Sequence, residues 1–379
     1  MKILITGGLG FIGRALAKRL LSEGHELVLL DTLSAQVHGD NPDHSDILSQ
    51  PGVRFLQGSV CDRAMVCDAL AGVSAVYHFA AETGTGQSMY EIGRYYDTNV
   101  MGTAVLLEEM VKTEALRPEA LILASSRSVY GEGAYVCAGD EARADAPRHF
   151  PTGRSTEDMQ AGVFEFSADG MPLVPVPTRE DDRIDPRSIY AASKLSQEQM
   201  CQIACEAMGI RFVALRLQNV YGPGQSLRNP YTGILSIFAN TLKQGGSIDI
   251  FEDGEESRDF VYVDDVAHAF RLALDLPASP GNIINVGTGE RHSVAHIVDL
   301  LQEKLGVSGR SSVSGRFRPG DIRHCFADVG RMHSMLGYRA PTALRDGLSA
   351  TVDWALTQPD APDRSADANR ELETLLRKG

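Results

Sequence analysis

Tyr190 and Lys194 stand four residues apart in Tyr190-Ala-Ala-Ser-Lys194, a spacing that puts both side chains on one face of a helix. An ammonium beside a phenol favours the phenolate and lowers its pKa. An oxidised nicotinamide would add a second positive charge, so Tyr190 is predicted to serve as a base toward a hydroxyl near neutral pH. Ser126, directly after an apolar run at 120–125, is the third candidate catalytic residue. Such chemistry needs a dinucleotide, and Thr6-Gly7-Gly8-Leu9-Gly10-Phe11-Ile12-Gly13 has the residues to hold one. Gly7 permits a tight turn, Gly10 lets the backbone approach a pyrophosphate, and Gly13 lets helix and strand pack closely. Phe11 and Ile12 open the helix whose first N–H groups face the phosphates. Asp31 closes the second apolar run, about twenty residues on. Its carboxylate can accept both ribose hydroxyls and would repel a 2′-phosphate, and no Arg follows closely, so the expected cofactor is NAD rather than NADP.

The elements that must position these groups alternate along the chain. Short apolar strands are predicted at 2–6, 26–30, 53–56, 75–79, 120–125 and 211–216, with helical segments between most of them. This implies an α/β fold: a Rossmann-type, doubly wound parallel sheet with helices on both faces. Between 132 and 186 the rhythm stops. The segment is rich in Pro, Gly, Asp and Arg and carries Pro147, Pro151, Pro172, Pro175, Pro177 and Pro186, which reads as a loop-rich insertion. Beyond it, short strands (248–251, 283–286) mix with helices (264–275, 293–305), a polar stretch covers 358–368, and a last helix is expected after it. The expected division is a NAD-binding domain at 1–217, completed by parts of 259–290, and a smaller mixed α/β substrate-binding domain at 218–258 and 291–379.

Composition narrows the partners. The 379 residues are 43% hydrophobic and carry a formal net charge of −14 with no offsetting basic run. That surface repels nucleic acid and anionic membrane, and an anionic substrate must be held by a few local cations. None of the six cysteines forms a CxxC pair, so neither a disulfide framework nor a metal site is expected. Cys201 and Cys205 read as small buried apolar residues on one helix. MKILITGG reads as a core strand rather than a signal peptide, no apolar run is long enough to span a bilayer, and a cytoplasmic location is expected.

The chain resembles the extended short-chain dehydrogenases/reductases, the family of NAD-dependent nucleotide-sugar epimerases and dehydratases. The resemblance rests on TGGLGFIG at 6–13, Asp31, HFAA at 78–81, Asn99, SSRSVYG at 125–131, YAASK at 190–194, LRLQNVYGPG at 215–224, RDFVYVDDV at 258–266, NVGTG at 285–289 and RPGD at 318–321. It implies that Ser126 hydrogen-bonds the reacting sugar oxygen, that Tyr190 is the acid/base, and that Lys194 supports it on the nicotinamide ribose. It implies further that Phe79, Ala80 and Ala81 line the cofactor and that Asn99 supports it. Ser59 and Val60 fall at the adenine, with Ser59 where the family usually has Asp. Asn219, Arg258 and Arg318, and more weakly Arg228, match holders of the nucleotide diphosphate. His78 is expected to be a packed residue. Helices near 94–112 and 188–208 match a dimer interface, which implies a homodimer.

The resemblance also bears on the reaction. Dehydratases of this kind carry Asp and Glu after the Ser, whereas this chain has Arg127 and Ser128, so epimerisation is expected over water elimination. The long 132–186 insert resembles that of a dTDP-L-rhamnose 4-epimerase subgroup. A UDP-hexose or UDP-hexuronate 4-epimerase, epimerisation at C2 or C3, a nucleotide-sugar dehydrogenase or reductase, and a non-catalytic NAD-binding protein remain as alternatives.

Overall fold

A computed structural model of the chain describes residues 1–39, 42–229, 231, 233–277, 282–318 and 320–361. The helix expected after 358–368 and the far end of the second predicted domain lie outside the described residues. Seven parallel strands form the central sheet: β1 (Lys2–Thr6), β2 (Glu26–Asp31), β3 (Val53–Gln57), β4 (Ala75–His78), β5 (Ala120–Ser126), β6 (Arg211–Leu217) and β7 (Ile283–Val286). Their order across the sheet is β7-β6-β5-β4-β1-β2-β3. The order reverses beside β1, which is where a doubly wound sheet opens a crevice at its carboxyl ends.

Side chains alternate faces along each strand, and both faces are apolar. Ile3, Ile5, Leu27, Leu29, Ile122 and Leu215 join one buried cluster with the helices α1 (Phe11–Ser22) and, later in the chain, Val263–Ala273. Leu4, Val28, Leu30, Leu121, Leu123 and Ala214 join another, beneath α2 (Arg63–Leu70), α3 (Gly102–Lys112) and α4 (Ile189–Met208). Cys201 and Cys205 sit in this second cluster, fully buried. A third apolar cluster lies outside the sheet, where α5 (Ile234–Lys243), α7 (Val294–Leu305) and α8 (Leu344–Thr357) pack around Tyr221, Phe260 and Ile297, with α6 being the Val263–Ala273 helix.

The 132–186 segment contains more structure than its composition predicts. Ala134–Cys137 pairs antiparallel with Met171–Val176, which turns back on Ser167–Ala168. Asp169 and Gly170, both at positive φ (51° and 78°), make that turn, the geometry of a type I′ hairpin. The segment is also pinned to the third cluster's side. Arg154 pairs with Glu252 at 2.5 Å, Arg323 pairs with Glu165 at 2.6 Å and with Glu252 at 2.9 Å, and the Arg323 N–H donates to Glu132 at 2.7 Å. Among the described residues no helix is long and apolar enough to cross a membrane.

Candidate active site

A cleft of about 450 Å³ runs along the carboxyl ends of β1, β2, β4, β5 and β6. One half is built by glycines. Gly7 has φ of 68°, and a Cβ there would meet the Ala80 nitrogen at 2.8 Å and the Phe79 carbonyl carbon at 2.9 Å. A Cβ on Gly13 would strike the carbonyl oxygens of Gly7 and Gly8. Gly10 caps α1 with extended backbone and no side chain in the way, leaving the first N–H groups of the helix open to the cleft. Phe11 and Ile12 line the same wall.

Asp31 lies at the far end of this half, 8% exposed. Its oxygens accept from the Leu9 N–H at 3.0 Å and the Leu33 N–H at 2.9 Å, and His38 Nε2 stands 3.5 Å away. Burial pushes its pKa up, but His38 and the two backbone donors outweigh burial and leave it below the usual value. Asp31 is therefore an anion with a fixed orientation and its remaining lone pairs facing the cleft. Ser59, Val60, Phe79, Ala80 and Ala81 also line the cleft. Asn99 does not. It lies buried beneath, where its amide donates to Ser193 Oγ at 2.8 Å and the Glu82 carbonyl at 3.1 Å, and its oxygen accepts from the Glu82 N–H at 2.7 Å. Asn99 thus ties the 79–82 loop to α4. His78 is likewise internal. It bridges Thr6 and Thr103 at 2.8 Å each, and burial pushes its pKa down to about 3, so it is neutral. Thr6 Oγ1 in turn accepts from the N–H groups of Phe79 and Ala80, which sets the loop against Gly7. A glycine cradle that a Cβ would fill, an open helix N-terminus and a fixed carboxylate are what a dinucleotide requires.

The other half holds the candidate chemistry. Ser126, Tyr190 and Lys194 all line the cleft. Tyr190 stands in the first turn of α4, which Ser188 caps by accepting from the Ala191 N–H at 3.1 Å. The Ser126 hydroxyl faces the Tyr190 phenol, and the Arg127 cation lies within reach of it. The Tyr190 pKa stands above its ordinary value, opposite to the expected lowering. Burial raises it, and Ser126 and Arg127 only oppose that rise. The Lys194 ammonium donates to the Ala124 carbonyl at 2.9 Å. Burial also pushes the Lys194 pKa down, to about 8.

The predicted diphosphate ligands do not gather in one place. Asn219 lines the cleft and its Oδ1 accepts from Arg127 Nε at 2.8 Å. Arg258 does not line it. Its guanidinium is turned to the carbonyls of Ser257, Arg323 and Ile322, at 2.9, 3.0 and 2.5 Å. Arg318 lies over the Phe251 ring, 4.6 Å from its centre, and 4.0 Å from Asp321. Arg228 is exposed, beside Gly39 next to the Asp31 end. Arg258 and Arg318 are drawn to local partners, so these two face the cleft only if they move.

Arg127 and Ser128, which the sequence reading used only to choose the reaction, and Gln218, which it passed over, all stand in the cleft wall. The sequence reading also passed over the buried network behind them. Glu198 pairs with Arg216 through bonds of 3.0 and 2.8 Å and accepts from Ser125, while Arg216 donates to the Tyr130 hydroxyl at 2.9 Å. Tyr130 donates to Asn285 at 2.8 Å, which binds β5 to β7. The available signal was the polar residues at the ends of apolar strands, at 125–128 and at 216, 218 and 219.

The family model described as "NAD dependent epimerase/dehydratase family" matches residues 3–151 and 164–287. The dTDP-L-rhamnose 4-epimerase of Burkholderia thailandensis is 35% identical over 364 residues, covering 95% of this chain and 96% of that one. A putative UDP-glucose 4-epimerase of Methanocaldococcus jannaschii is 28% identical, covering 93% and 97%. Among solved structures, UDP-glucose 4-epimerase of Thermotoga maritima with UDP-glucose superposes with a TM-score of 0.75 at 27% identity, covering 93% of this chain and 98% of that one. The Thermus thermophilus UDP-glucose 4-epimerase complex with NAD gives 0.73 at 26%, covering 95% and 100%.

Proposed function

This chain belongs to the NAD dependent epimerase/dehydratase family, and from that membership we propose that it is a nucleotide-sugar 4-epimerase converting dTDP-L-rhamnose to dTDP-6-deoxy-L-talose. The observation that carries the choice of reaction is the turn after Ser126. Arg127 and Ser128 stand in the cleft wall where an elimination would need a carboxylic acid and a carboxylate. The choice of sugar is supported by the 35% identity to a dTDP-L-rhamnose 4-epimerase across 95% of the chain.

The cofactor is NAD, held by Gly7, Gly10, Phe11, Ile12, Gly13 and Asp31, with Ser59, Val60, Phe79, Ala80 and Ala81 along it and Asn99 behind. When bound, NAD supplies the acceptor and donor of the hydrogen on C4. Tyr190 takes the proton of the 4-hydroxyl and later returns it. Ser126 donates to the same oxygen and holds it beside the phenol. Lys194 supports Tyr190 from the same helix face. Asn219 anchors the diphosphate, with Arg258, Arg318 and Arg228 as the cations that close on it, so that the sugar alone turns over between the two transfers. In this reading residues 1–217 and parts of 259–290 carry the cofactor, 218–258 and 291–379 carry the sugar nucleotide, and the protein works as a homodimer.

The test is incubation of the purified protein, without added cofactor, with dTDP-, UDP- and GDP-sugars in D₂O, followed by NMR. The expected result is fastest conversion of dTDP-L-rhamnose, with no solvent deuterium at C4, and NAD(H) released when the protein is denatured. Solvent deuterium at C3 or C5 would indicate enolisation instead. Much faster turnover of UDP-glucose would move the substrate and leave the reaction class standing.

A further inference from the structure

The two segments that wall the cofactor half leave the sheet on either side of β1. One follows β2 and places Ser34 and His38 in the cleft; the other follows β4 and places Thr83 and Thr85 there. Their side chains meet in a reciprocal pair. Gln36 Nε2 donates to Gln87 Oε1 at 3.0 Å, and Gln87 Nε2 donates to Gln36 Oε1 at 3.2 Å. Because β1 lies between β2 and β4, this pair joins the segments across the carboxyl end of β1, where the glycine turn and the open end of α1 stand.

The two sides of the pair are built differently. Gln87 is 3% exposed and its amide is fully engaged. Besides its bonds with Gln36, its oxygen accepts from the Tyr95 hydroxyl at 3.2 Å and its nitrogen donates to Glu91 at 3.3 Å, which uses both lone pairs and both protons. Tyr95 is itself buried, and its ring stands edge-on to Tyr190 with centres 6.4 Å apart, so this side is set against α4. Gln36 is half-buried and rides on the four-residue helix Ala35–His38, entered after Leu33 at φ 53° and left through Gly39 at φ 77°. So short a helix is not stable by itself, and a leucine in the left-handed region persists only where its surroundings hold it. At the root of this segment Asp31 accepts the Leu33 N–H at 2.9 Å, and at its crest Gln36 meets Gln87. One jaw is rigid and the other depends on the bond between them.

A 4-epimerase returns the hydride it took, so a molecule that sheds NADH in mid-cycle is stranded. We propose that the Gln36–Gln87 pair is a latch across the NAD cleft that slows cofactor release; this rests on the 4-epimerase reading, which is what makes retention necessary. Neither glutamine lines the cleft, so both are positioning residues that act by holding the two segments together.

The experiment times release directly. The protein and its Gln36→Ala, Gln87→Ala and double variants are loaded with NADH and mixed with excess NAD, and the loss of bound-NADH fluorescence is followed with no sugar present. Gln36→Ala is expected to release NADH about 10- to 100-fold faster, the usual worth of two neutral hydrogen bonds. The double variant should release it no faster than Gln87→Ala alone, because either substitution removes the same pair. After gel filtration the Gln36→Ala protein should have lost turnover of nucleotide sugar and should regain it when NAD is added. Unchanged release in Gln36→Ala would overturn the proposal. So would accelerations that multiply in the double variant, since the two residues would then act apart. Faster release with a lower melting temperature of the NAD-saturated variant and no recovery on added NAD would also overturn it and assign the pair to the fold. A parent protein that holds NADH yet epimerises no nucleotide sugar sinks the 4-epimerase reading, while the release rates still decide the latch.

Discussion

At Tyr190 burial raises the phenol's pKa, and the Ser126 hydrogen bond and the Arg127 cation lower it. Removing that cation leaves burial less opposed, so Arg127→Gln should move the acidic limb of the kcat–pH profile to higher pH; an unmoved limb would remove Arg127 from the electrostatics of the base. Tyr190→Phe should reduce turnover by about 10²–10⁴-fold, the usual worth of one general base, while nucleotide-sugar affinity stays close to normal. Full activity in that variant would end the mechanism. At the other end of the cleft, Asp31 is oriented by Leu9, Leu33 and His38. Asp31→Ala should weaken NAD binding and narrow the preference over NADP, measured as the ratio of the two dissociation constants. These catalytic and cofactor residues were legible because their signals are local: a glycine spacing, an acid at a strand end, a Tyr and Lys one helical turn apart. Gln218 was not legible, because its place in the cleft wall exists only once tertiary packing has set it there.

Elements were legible where period and punctuation agreed. The strand from Lys2 and the helix from Phe11 follow from an apolar run ending in glycines. The strand Met171–Val176 was hidden by Pro172 and Pro175, which argue against a sheet position. Asp169-Gly170 was the readable hairpin signal. The insert's attachment was invisible for another reason, since it depends on partners about a hundred residues or more away, such as Arg154 with Glu252 and Glu165 with Arg323. That attachment has a titratable member. Burial pushes the Glu132 pKa up to about 7 from an ordinary value of 4.5, against the pull of the Arg323 N–H and of Arg154 and Arg258. Between those two values the folded chain holds a proton that the unfolded chain has released, so this residue's contribution to stability falls as pH rises through that window. Glu132→Gln keeps an acceptor for the Arg323 N–H and removes the charge. It should raise the melting temperature at pH 8 by about 1–3 °C and leave it nearly unchanged near pH 4.5. A larger gain at the lower pH would contradict the sign.

On the scale of the whole molecule, exposed apolar side chains include two on the helices matched to a dimer interface. Met101 before α3 and Ile203 on α4 are 53% and 70% exposed, with Tyr96, near Met101 in sequence, at 38%. Side chains of this size on those helices are the reason to propose a homodimer. Light scattering at micromolar concentration should give twice the chain mass, and Ile203→Glu should shift the population toward monomer. The order of the sheet has a different consequence, for synthesis. β6 lies between β5 and β7, and β7 is encoded only after the third cluster's first helix and the whole of α6. At roughly 5–20 residues per second, a nascent chain on the ribosome carries β6 for several seconds before its neighbour exists. During that interval the hydrogen-bonding edge of a strand buried on both faces is open to any other extended chain. Translation pauses between Leu217 and Ile283 lengthen that exposure, and slower codons there should lower the soluble yield.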